Sequence, residues 1–314
     1  MELKDISFFK PVTDQLYVIF GERNGIFPFC HSYLFDGDVL ILFDPQCGRK
    51  RLRLSLQQLG KTLADVDYLY NSHYHFDHSA SNAYIKKKSG AKILIHEADR
   101  IALESFDDYI QRYGMIDKKL EADWRKLLKD LGYREVTVDE TFRDGDILSG
   151  EFQVIHTPGH APGHCCFSKS GIVISGDFDL TSPWVGNLTC DVADYLKSID
   201  KLLKHKISAL LPGHGLPAFK NIPERLEKFR ERLLTKVNDL YNLLPDKPAL
   251  LEDITKLVFD SFSEKLQKQL RHRQAQFSFH FANISNLNYL KYLESQRKVK
   301  RILQDGQEFW QKTD

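Results

Sequence analysis

The chain has 314 residues, of which 42% are hydrophobic and 28% charged, with a formal net charge of +1. This length suits one or two domains with a full core, and the balanced charge argues against binding of nucleic acid or acidic lipid by the whole chain. No apolar run approaches the roughly 18 residues that span a bilayer, and the first residues lack the apolar core of a signal peptide. The five cysteines are an odd number at irregular spacing, which suits reduced thiols. We therefore expect a cytoplasmic protein without a membrane partner.

The N-terminal part of the chain predicts strands separated by turns. β-Branched and aromatic runs indicate strands at residues 16–20, 31–35 and 39–43. Asp36-Gly37 is a good tight turn, so the last two strands are predicted to form a hairpin. The hairpin ends in Asp44, which either orients a metal-bound histidine or caps a turn; the residues leave both interpretations open.

A histidine-rich segment lies between a predicted strand at 66–70 and a predicted helix at 79–88. Within six residues it has three imidazoles and one carboxylate, those of His73, His75, Asp77 and His78. Imidazole and carboxylate are the groups that hold zinc and similar divalent ions. Because α/β enzymes usually carry their chemistry on such loops, this segment is the first candidate metal site.

Residues 97–132 follow a predicted strand at 91–95 and are mostly helical in pattern. The segment is either an insertion that walls a site or a packed helical layer. His96, at the end of the strand, is interpreted as a structural residue.

Three later strand ends also carry ligand-type side chains. A strand at 152–156 leads into His160, which is fixed between Pro and Gly residues in a tight loop. A hairpin of strands at 165–168 and 172–175 ends in Asp177, and a strand at 207–211 leads to His214. His156 and His164 flank the second motif and are candidates to support the ligands.

The segment that follows Asp177, residues 178–187, is aromatic and rich in turn residues. It lies just beyond a candidate ligand, so Trp184 is a candidate substrate contact. An ordinary loop with a packed tryptophan is the alternative.

The C-terminal third is predicted to be helical and to end in a hairpin. Helices are predicted at 223–244, 249–260, 263–276 and 284–295, and Asp305-Gly306 is a good turn between two final strands. Residues 261–314 contain ten Lys or Arg and five Asp or Glu. This excess indicates either a nucleic-acid surface or a solvated helical tail. We favour the tail, because aromatic and basic residues do not interleave densely.

Four motifs, taken together, resemble the metallo-β-lactamase superfamily, within it the glyoxalase II and β-lactamase-like protein 2 branches. They are His73-Tyr74-His75-Phe76-Asp77-His78, Thr157-Pro158-Gly159-His160, Gly176-Asp177 and Pro212-Gly213-His214-Gly215. The resemblance implies an α/β (α+β) fold, an αββα sandwich. The catalytic domain would span 1–220 with the helical insertion 97–132, and 221–314 would form a small helical, winged-helix-like domain.

The resemblance also implies a ligand set. His73, His75 and His160 would hold one metal ion, Asp77, His78 and His214 a second, and Asp177 would bridge them. Two divalent ions are therefore expected as cofactors, zinc first, with iron and manganese as alternatives.

Two such ions lower the pKa of a shared water, and the resulting hydroxide is the nucleophile. Asp77 is the candidate catalytic residue, since it can bind metal and also orient that nucleophile. We expect a binuclear hydrolase of a small-molecule ester or thioester, as in glyoxalase II, and a homodimer is one option for its assembly. The alternatives are a phosphodiesterase or endoribonuclease, an iron-dependent persulfide dioxygenase, and a non-catalytic metal-bound sensor.

Overall fold

A computed structural model of the protein describes residues 7–115, 117–261 and 275–313, with the side chains of the last range from 277 onward. The helix predicted at 263–276 lies outside these ranges up to residue 274. Of the helices within them, none combines the length and the apolar character needed to cross a bilayer.

Seven strands form the first sheet: β1 (Phe9–Pro11), β2 (Leu16–Ile19), β3 (Ser32–Asp36), β4 (Leu40–Phe43), β5 (Tyr68–Tyr70), β6 (Lys92–His96) and β7 (Glu140–Phe142). They neighbour one another in chain order. Pairing is antiparallel from β1 to β4 and parallel from β4 to β7. The predicted hairpin is thus β3 and β4, and the parallel half of the sheet requires helical crossovers.

Five strands form the second sheet: β8 (Ile147–Leu148), β9 (Phe152–His156), β10 (Cys165–Lys169), β11 (Ile172–Gly176) and β12 (Ala209–Pro212). Their order is β12-β11-β10-β9-β8. Only β11 and β12 pair in parallel among these neighbours. Three of the predicted ligand loops therefore follow strands of this one sheet.

Side chains alternate between the two faces of a strand, and this alternation divides the core into layers. In β4, Phe43 lies in the cluster between the two sheets, whereas Leu42 lies in the cluster beneath the first set of helices. In β12, Leu211 lies between the sheets and Leu210 beneath the second set of helices. Phe43 and Phe152 meet across the interface with ring centroids 4.9 Å apart. The predicted αββα sandwich is confirmed.

Six helices belong to the side of the first sheet: α1 (Arg49–Gln58), α2 (Phe76–Ser79), α3 (Asn82–Ser89), α4 (Arg100–Glu104), α5 (Phe106–Arg112) and α6 (Lys118–Asp130). The segment 97–132 is mostly helical, as predicted, and contains the last three. The single helix predicted at 79–88 is instead α2 and α3. The chain turns between them, where the Ser81 hydroxyl donates to Gln46 Oε1 at 2.6 Å and ties the turn to the loop after β4.

Within the described residues, four helices belong to the other side: α7 (Val192–Leu203), α8 (Ile222–Leu243), α9 (Leu251–Asp260) and α10 (Ala275–Ser295). A third sheet of β13 (Ala249–Leu250), β15 (Gln307–Lys312) and β14 (Val299–Gln304) accompanies them. Residues 249–250 were predicted to begin a helix. They form β13 instead because they pair with Trp310 and Phe309. The C-terminal region is mainly helical, as predicted; its winged-helix likeness and the domain boundary at 220 stay predictions.

The C-terminal helices share one hydrophobic cluster with the second sheet. Leu290 of α10 and Leu233 of α8 are both fully buried in it, next to Ile199 of α7. The free energy of this packing therefore contributes to the stability of the whole sandwich.

We expect Leu290→Ala to lower the free energy of unfolding by about 2–5 kcal/mol, because it removes a fully buried side chain and leaves a cavity. Leu303, which is 78% exposed on β14, is the matched control, and its change to alanine should shift that free energy by no more than about 0.5 kcal/mol. Urea denaturation of both variants measures the difference. Equal losses would contradict the shared core.

Candidate metal centre

All seven predicted ligands lie together at one end of the sandwich. They form two adjoining groups, and within each group one ligand atom per residue lies within 4.8 Å of the others. The first group is His73, His75, His160 and Asp177; the second is Asp77, His78 and His214. The first sheet supplies the residues that follow β5, and the second sheet supplies those that follow β9, β11 and β12.

The first group surrounds a point between facing ring nitrogens. His160 Nε2 lies 2.9 Å from His75 Nδ1 and 3.0 Å from Asp177 Oδ2. His73 Nε2 is buried and has no hydrogen-bond partner among the described residues. A buried nitrogen without a partner is costly, and a bound cation would remove that cost.

The possible ligand atoms of the second group also lie close together. His78 Nε2 lies 3.2 Å from His214 Nε2 and 2.8 Å from Asp177 Oδ1. His214 Nε2 lies 3.3 Å from Asp77 Oδ2. Tetrahedral zinc with Zn–N distances of about 2.0–2.1 Å separates neighbouring ligand atoms by about 3.3 Å. Both donor sets therefore fit a divalent ion with small outward adjustments, and Asp177 faces both with different oxygens.

Local backbone geometry aims these side chains. Helix α2 begins directly after His75, so Asp77 and His78 lie on its first turn, and the His78 ring lies 4.3 Å from the His73 ring, centroid to centroid. Gly176 has φ +50°, and a Cβ there would meet His164 Nε2 at 2.6 Å. Gly213 is equally restricted, because a Cβ would lie 2.6 Å from His78 Cε1. The two glycines let the backbone approach the imidazoles closely.

Asp44 orients His78. Its Oδ2 lies 3.0 Å from His78 Nδ1, and its Oδ1 accepts the backbone N–H of Ser72 at 2.7 Å. The residue adopts φ 47°, a left-handed conformation that is uncommon outside glycine. Of the two interpretations of Asp44 from the sequence, the orienting one fits this geometry.

The flanking histidines hold the ligand loops. His164 Nε2 accepts the backbone N–H of Asp177 at 3.1 Å. His156 Nε2 lies 2.8 Å from the carbonyl oxygen of Pro162, and its ring stacks on His96 with centroids 4.0 Å apart. None of these three histidines belongs to either group of described ligands, which agrees with their interpretation as supporting or structural residues.

The sequence did not single out two further supporting residues. Asn187 is buried, and its amide lies 2.8 Å from His75 Nε2. Asp99 in the helical segment 97–132 accepts the backbone N–H of Gly163 at 3.0 Å and also hydrogen-bonds to the backbone of Tyr74. It thereby joins the loops of His160 and His75. The only local signal was the position of each residue within a turn-rich or inserted segment.

Arg112 completes the Asp99 contact. Its Nη1 lies 3.2 Å from Asp99 Oδ1, and its guanidinium lies over the Tyr74 ring at 4.9 Å. Burial raises the pKa of Asp99 to about 6, while Arg112 opposes that rise, so the carboxylate is ionised at neutral pH. The segment 97–132 therefore anchors the ligand loops through a buried ion pair.

The pKa values of His73 and His75 in the first group differ from those of His78 and His214 in the second. Burial, and then the neighbouring imidazoles, lower the pKa of His73 and His75 well below the usual value, so both rings are neutral at pH 7. Burial also acts to lower the pKa of His78 and His214. In the second group, however, the nearby carboxylates outweigh burial: the pKa of His78 is raised well above its usual value, and that of His214 to about 9.

This difference predicts that the two ions bind with different pH dependence. The second ion must displace protons from His78 and His214, so its affinity should rise as the pH increases towards about 9. The first ion meets His73 and His75, whose lowered pKa values keep both rings neutral at pH 7, and should release fewer protons. Calorimetric titration of zinc into the metal-free protein, in buffers of different ionisation enthalpy, counts the released protons. Equal proton release for both ions would contradict the assignment.

We expect Asp44→Asn to weaken binding of the second ion by about 10- to 100-fold, because it removes the carboxylate that orients His78. Asp36→Asn, at the other end of the β3–β4 hairpin, is the control, since the Asp36 carboxylate pairs with Lys61 at 3.4 Å and contacts no predicted ligand among the described residues. Competition with a chromophoric chelator measures both affinities. Unchanged affinity in Asp44→Asn would exclude the orienting role.

Comparison with known proteins identifies the family. The chain matches the metallo-beta-lactamase superfamily over residues 25–214. It is 26% identical over 200 residues to a probable metallo-hydrolase of Methanocaldococcus jannaschii, covering 61% of this chain and 90% of that protein. It is 27% identical over 188 residues to a hydroxyacylglutathione hydrolase of Haemophilus influenzae, covering 55% and 79%.

The fold comparison extends over almost the whole chain. A metallo-beta-lactamase family protein from Thermus thermophilus superimposes with a TM-score of 0.69 at 23% identity, covering 96% of this chain and 100% of that one. The family match includes all four ligand-bearing motifs, from His73 to His214. The chain belongs to the metallo-beta-lactamase superfamily.

Proposed function

We propose that the protein is a hydrolase that uses two divalent metal ions, zinc first, to cleave an ester or thioester. The observation that carries this proposal is the pair of adjoining donor groups that face Asp177 from two sides. The relatives named above support hydrolysis in general. The small-molecule substrate, the homodimer and the cytoplasmic location remain predictions.

The donor groups open onto a cavity of about 390 Å³, which gives a small molecule access to them. His75, Asp77, His160, Asp177 and His214 all line it. The described lining residues include no Lys or Arg. This favours an acyl substrate over RNA, because the phosphates of RNA that lie beyond the metal ions are usually bound by cationic side chains.

Two divalent ions held by these groups would lower the pKa of a water between them and polarise the substrate carbonyl. Asp77 has one carboxylate oxygen directed at His214, at 3.3 Å. Its other oxygen is then available to accept a hydrogen bond from the attacking water and to hold the proton that the water loses. Asp77 is therefore the proposed catalytic residue.

Trp184 is the proposed substrate contact. Its ring lies in the cavity wall, with its centroid 5.6 Å from that of His160 and 5.5 Å from that of His75. Its carbonyl oxygen lies 3.1 Å from His160 Nδ1. The residue thus combines a side chain that can touch substrate with a backbone group that orients a ligand.

The test begins with elemental analysis of protein purified without added metal, followed by assays of esters, thioesters, a phosphodiester and RNA. Close to two zinc ions per chain with turnover of the acyl substrates is expected. Turnover of RNA alone would replace the proposal by the nuclease alternative. One iron per chain with oxygen uptake would favour the dioxygenase alternative over the proposal. Full metal loading without turnover of any of these substrates would favour the sensor alternative.

We expect Asp77→Asn to lower kcat on the best acyl substrate by about 10²- to 10⁴-fold, because it removes the group that orients and deprotonates water. Asp253→Asn, whose side chain is 56% exposed on α9, is the control and should keep the full rate. Steady-state kinetics at equal metal loading compares the two variants. A near-wild-type kcat in Asp77→Asn would remove Asp77 from the mechanism.

A further inference from the structure

Much of the cavity wall beyond the metal-ligand groups is aromatic. We call it the aromatic wall; it consists of Phe27, Tyr113, Trp124, Trp184, Phe277 and Phe281. Trp124 of α6 lies at its centre, with ring centroids 5.0 Å from Phe277 and 5.3 Å from Phe281. Trp184 reaches Phe281 at 6.0 Å. Residues from the insertion, the loop after β11 and the C-terminal helix thus form one continuous apolar surface.

Helix α10 is held by hydrogen bonds to the segment 97–132 and to the loop after β11, which also contribute to the aromatic wall. His280 Nε2 lies 2.7 Å from the carbonyl oxygen of Tyr113, which ties the helix to the insertion. Asn288, only 2% exposed, donates to the carbonyl oxygens of Val185 at 2.9 Å and Asn187 at 2.7 Å. The same Asn187 contacts His75. The aromatic wall is therefore preorganised and connected to the ligand loops.

The described lining also contains the carboxylates of Asp77, Asp177 and Asp179. Metal ions held by Asp77 and Asp177 would offset those two charges, so these groups do not exclude an anionic substrate. A carboxylate on the acyl group would, however, lose its water against the aromatic wall, and the described lining residues include no Lys or Arg to pair with it. A neutral apolar group would instead bury its surface against the aromatic wall, which is favourable in proportion to the area removed from water.

We infer that the substrate has a neutral, apolar acyl group, alkyl or aryl, which the aromatic wall holds while its carbonyl faces the metal-ligand groups. This inference rests on the proposed function, and names the substrate class of that site. It separates the protein from hydrolases of esters or thioesters whose acyl part is anionic.

The first experiment uses the metal-loaded protein with 4-nitrophenyl esters of acetate, butyrate and hexanoate. Each hydrolysis consumes one water and releases the carboxylic acid and 4-nitrophenol. We expect kcat/KM to rise about fourfold for each added methylene. The monosuccinate ester, which places a carboxylate on a chain like that of butyrate, should be at least about tenfold poorer than butyrate. A flat series, or a preference for the monosuccinate, would overturn the inference.

The second experiment measures binding without turnover. Methyl ketones are neutral and are not hydrolysed, so 2-nonanone and acetone serve as probes with and without an apolar chain. Two of the three tryptophans of the chain, Trp124 and Trp184, belong to the aromatic wall, so intrinsic fluorescence reports on it. We expect 2-nonanone to change the fluorescence at concentrations at least about tenfold below those of acetone. Equal concentrations would overturn the inference.

Substitutions in the aromatic wall test whether 2-nonanone binds there. Phe281→Ala should weaken 2-nonanone binding at least about fivefold, and Phe281→Leu, which keeps apolar volume, should recover most of it. Phe219→Ala is the control, because Phe219 is 57% exposed and does not line the cavity. Unchanged binding in a folded Phe281→Ala protein would overturn the inference.

The two proposals fail differently. Chain-dependent ketone binding without hydrolysis of any ester would remove the proposed hydrolase and leave the apolar binding site. Ester hydrolysis without chain dependence would leave the hydrolase and remove the apolar acyl substrate.

Discussion

The carboxylate of Asp177 is the group on which the site depends. It lies between imidazoles from both donor groups, with Oδ2 3.0 Å from His160 and Oδ1 2.8 Å from His78. Burying this many imidazoles in one place is unfavourable unless carboxylates or bound metal ions serve as partners for the ring nitrogens. Gly176, which has no Cβ, lets the backbone before Asp177 pass close to His164 and Ser72. The backbone conformation at Gly176 thus helps to position the carboxylate of Asp177.

The site exists only where the two sheets meet. Its donor groups follow β5 of the first sheet and β9, β11 and β12 of the second. Two carboxylates from elsewhere hold these loops together: Asp44 after β4 contacts His78, and Asp99 in the insertion joins the loops of His75 and His160. Closing the sandwich therefore brings the chemistry together, and the packing energy of the core supports the close approach of the ligands.

Residues from distant parts of the chain line one cavity. The loops after β5, β9, β11 and β12 supply the donor groups, whereas the segment 97–132 and α10 supply most of the aromatic wall. Asn288 contacts the same short segment that supports His75, so α10 is connected to the metal centre as well as to the cavity. Because the C-terminal helices also share the hydrophobic cluster of the second sheet, this wall is held by the core and not by surface contacts.

The sequence by itself singled out the seven ligand-type residues, which follow four predicted strands, because strand patterning and loop chemistry are local properties of the chain. Through the resemblance of its four motifs to the superfamily, the sequence also indicated the fold class. It misjudged short boundaries such as β13, where pairing with Trp310 overrides a helical pattern. Only the tertiary structure decided the roles of Asp99, Asn187 and Asn288 and the assembly of the aromatic wall. Trp124 and Phe281 are far apart in the chain and meet only when α10 packs against the insertion. No local pattern records such a contact, because it depends on the packing of whole helices.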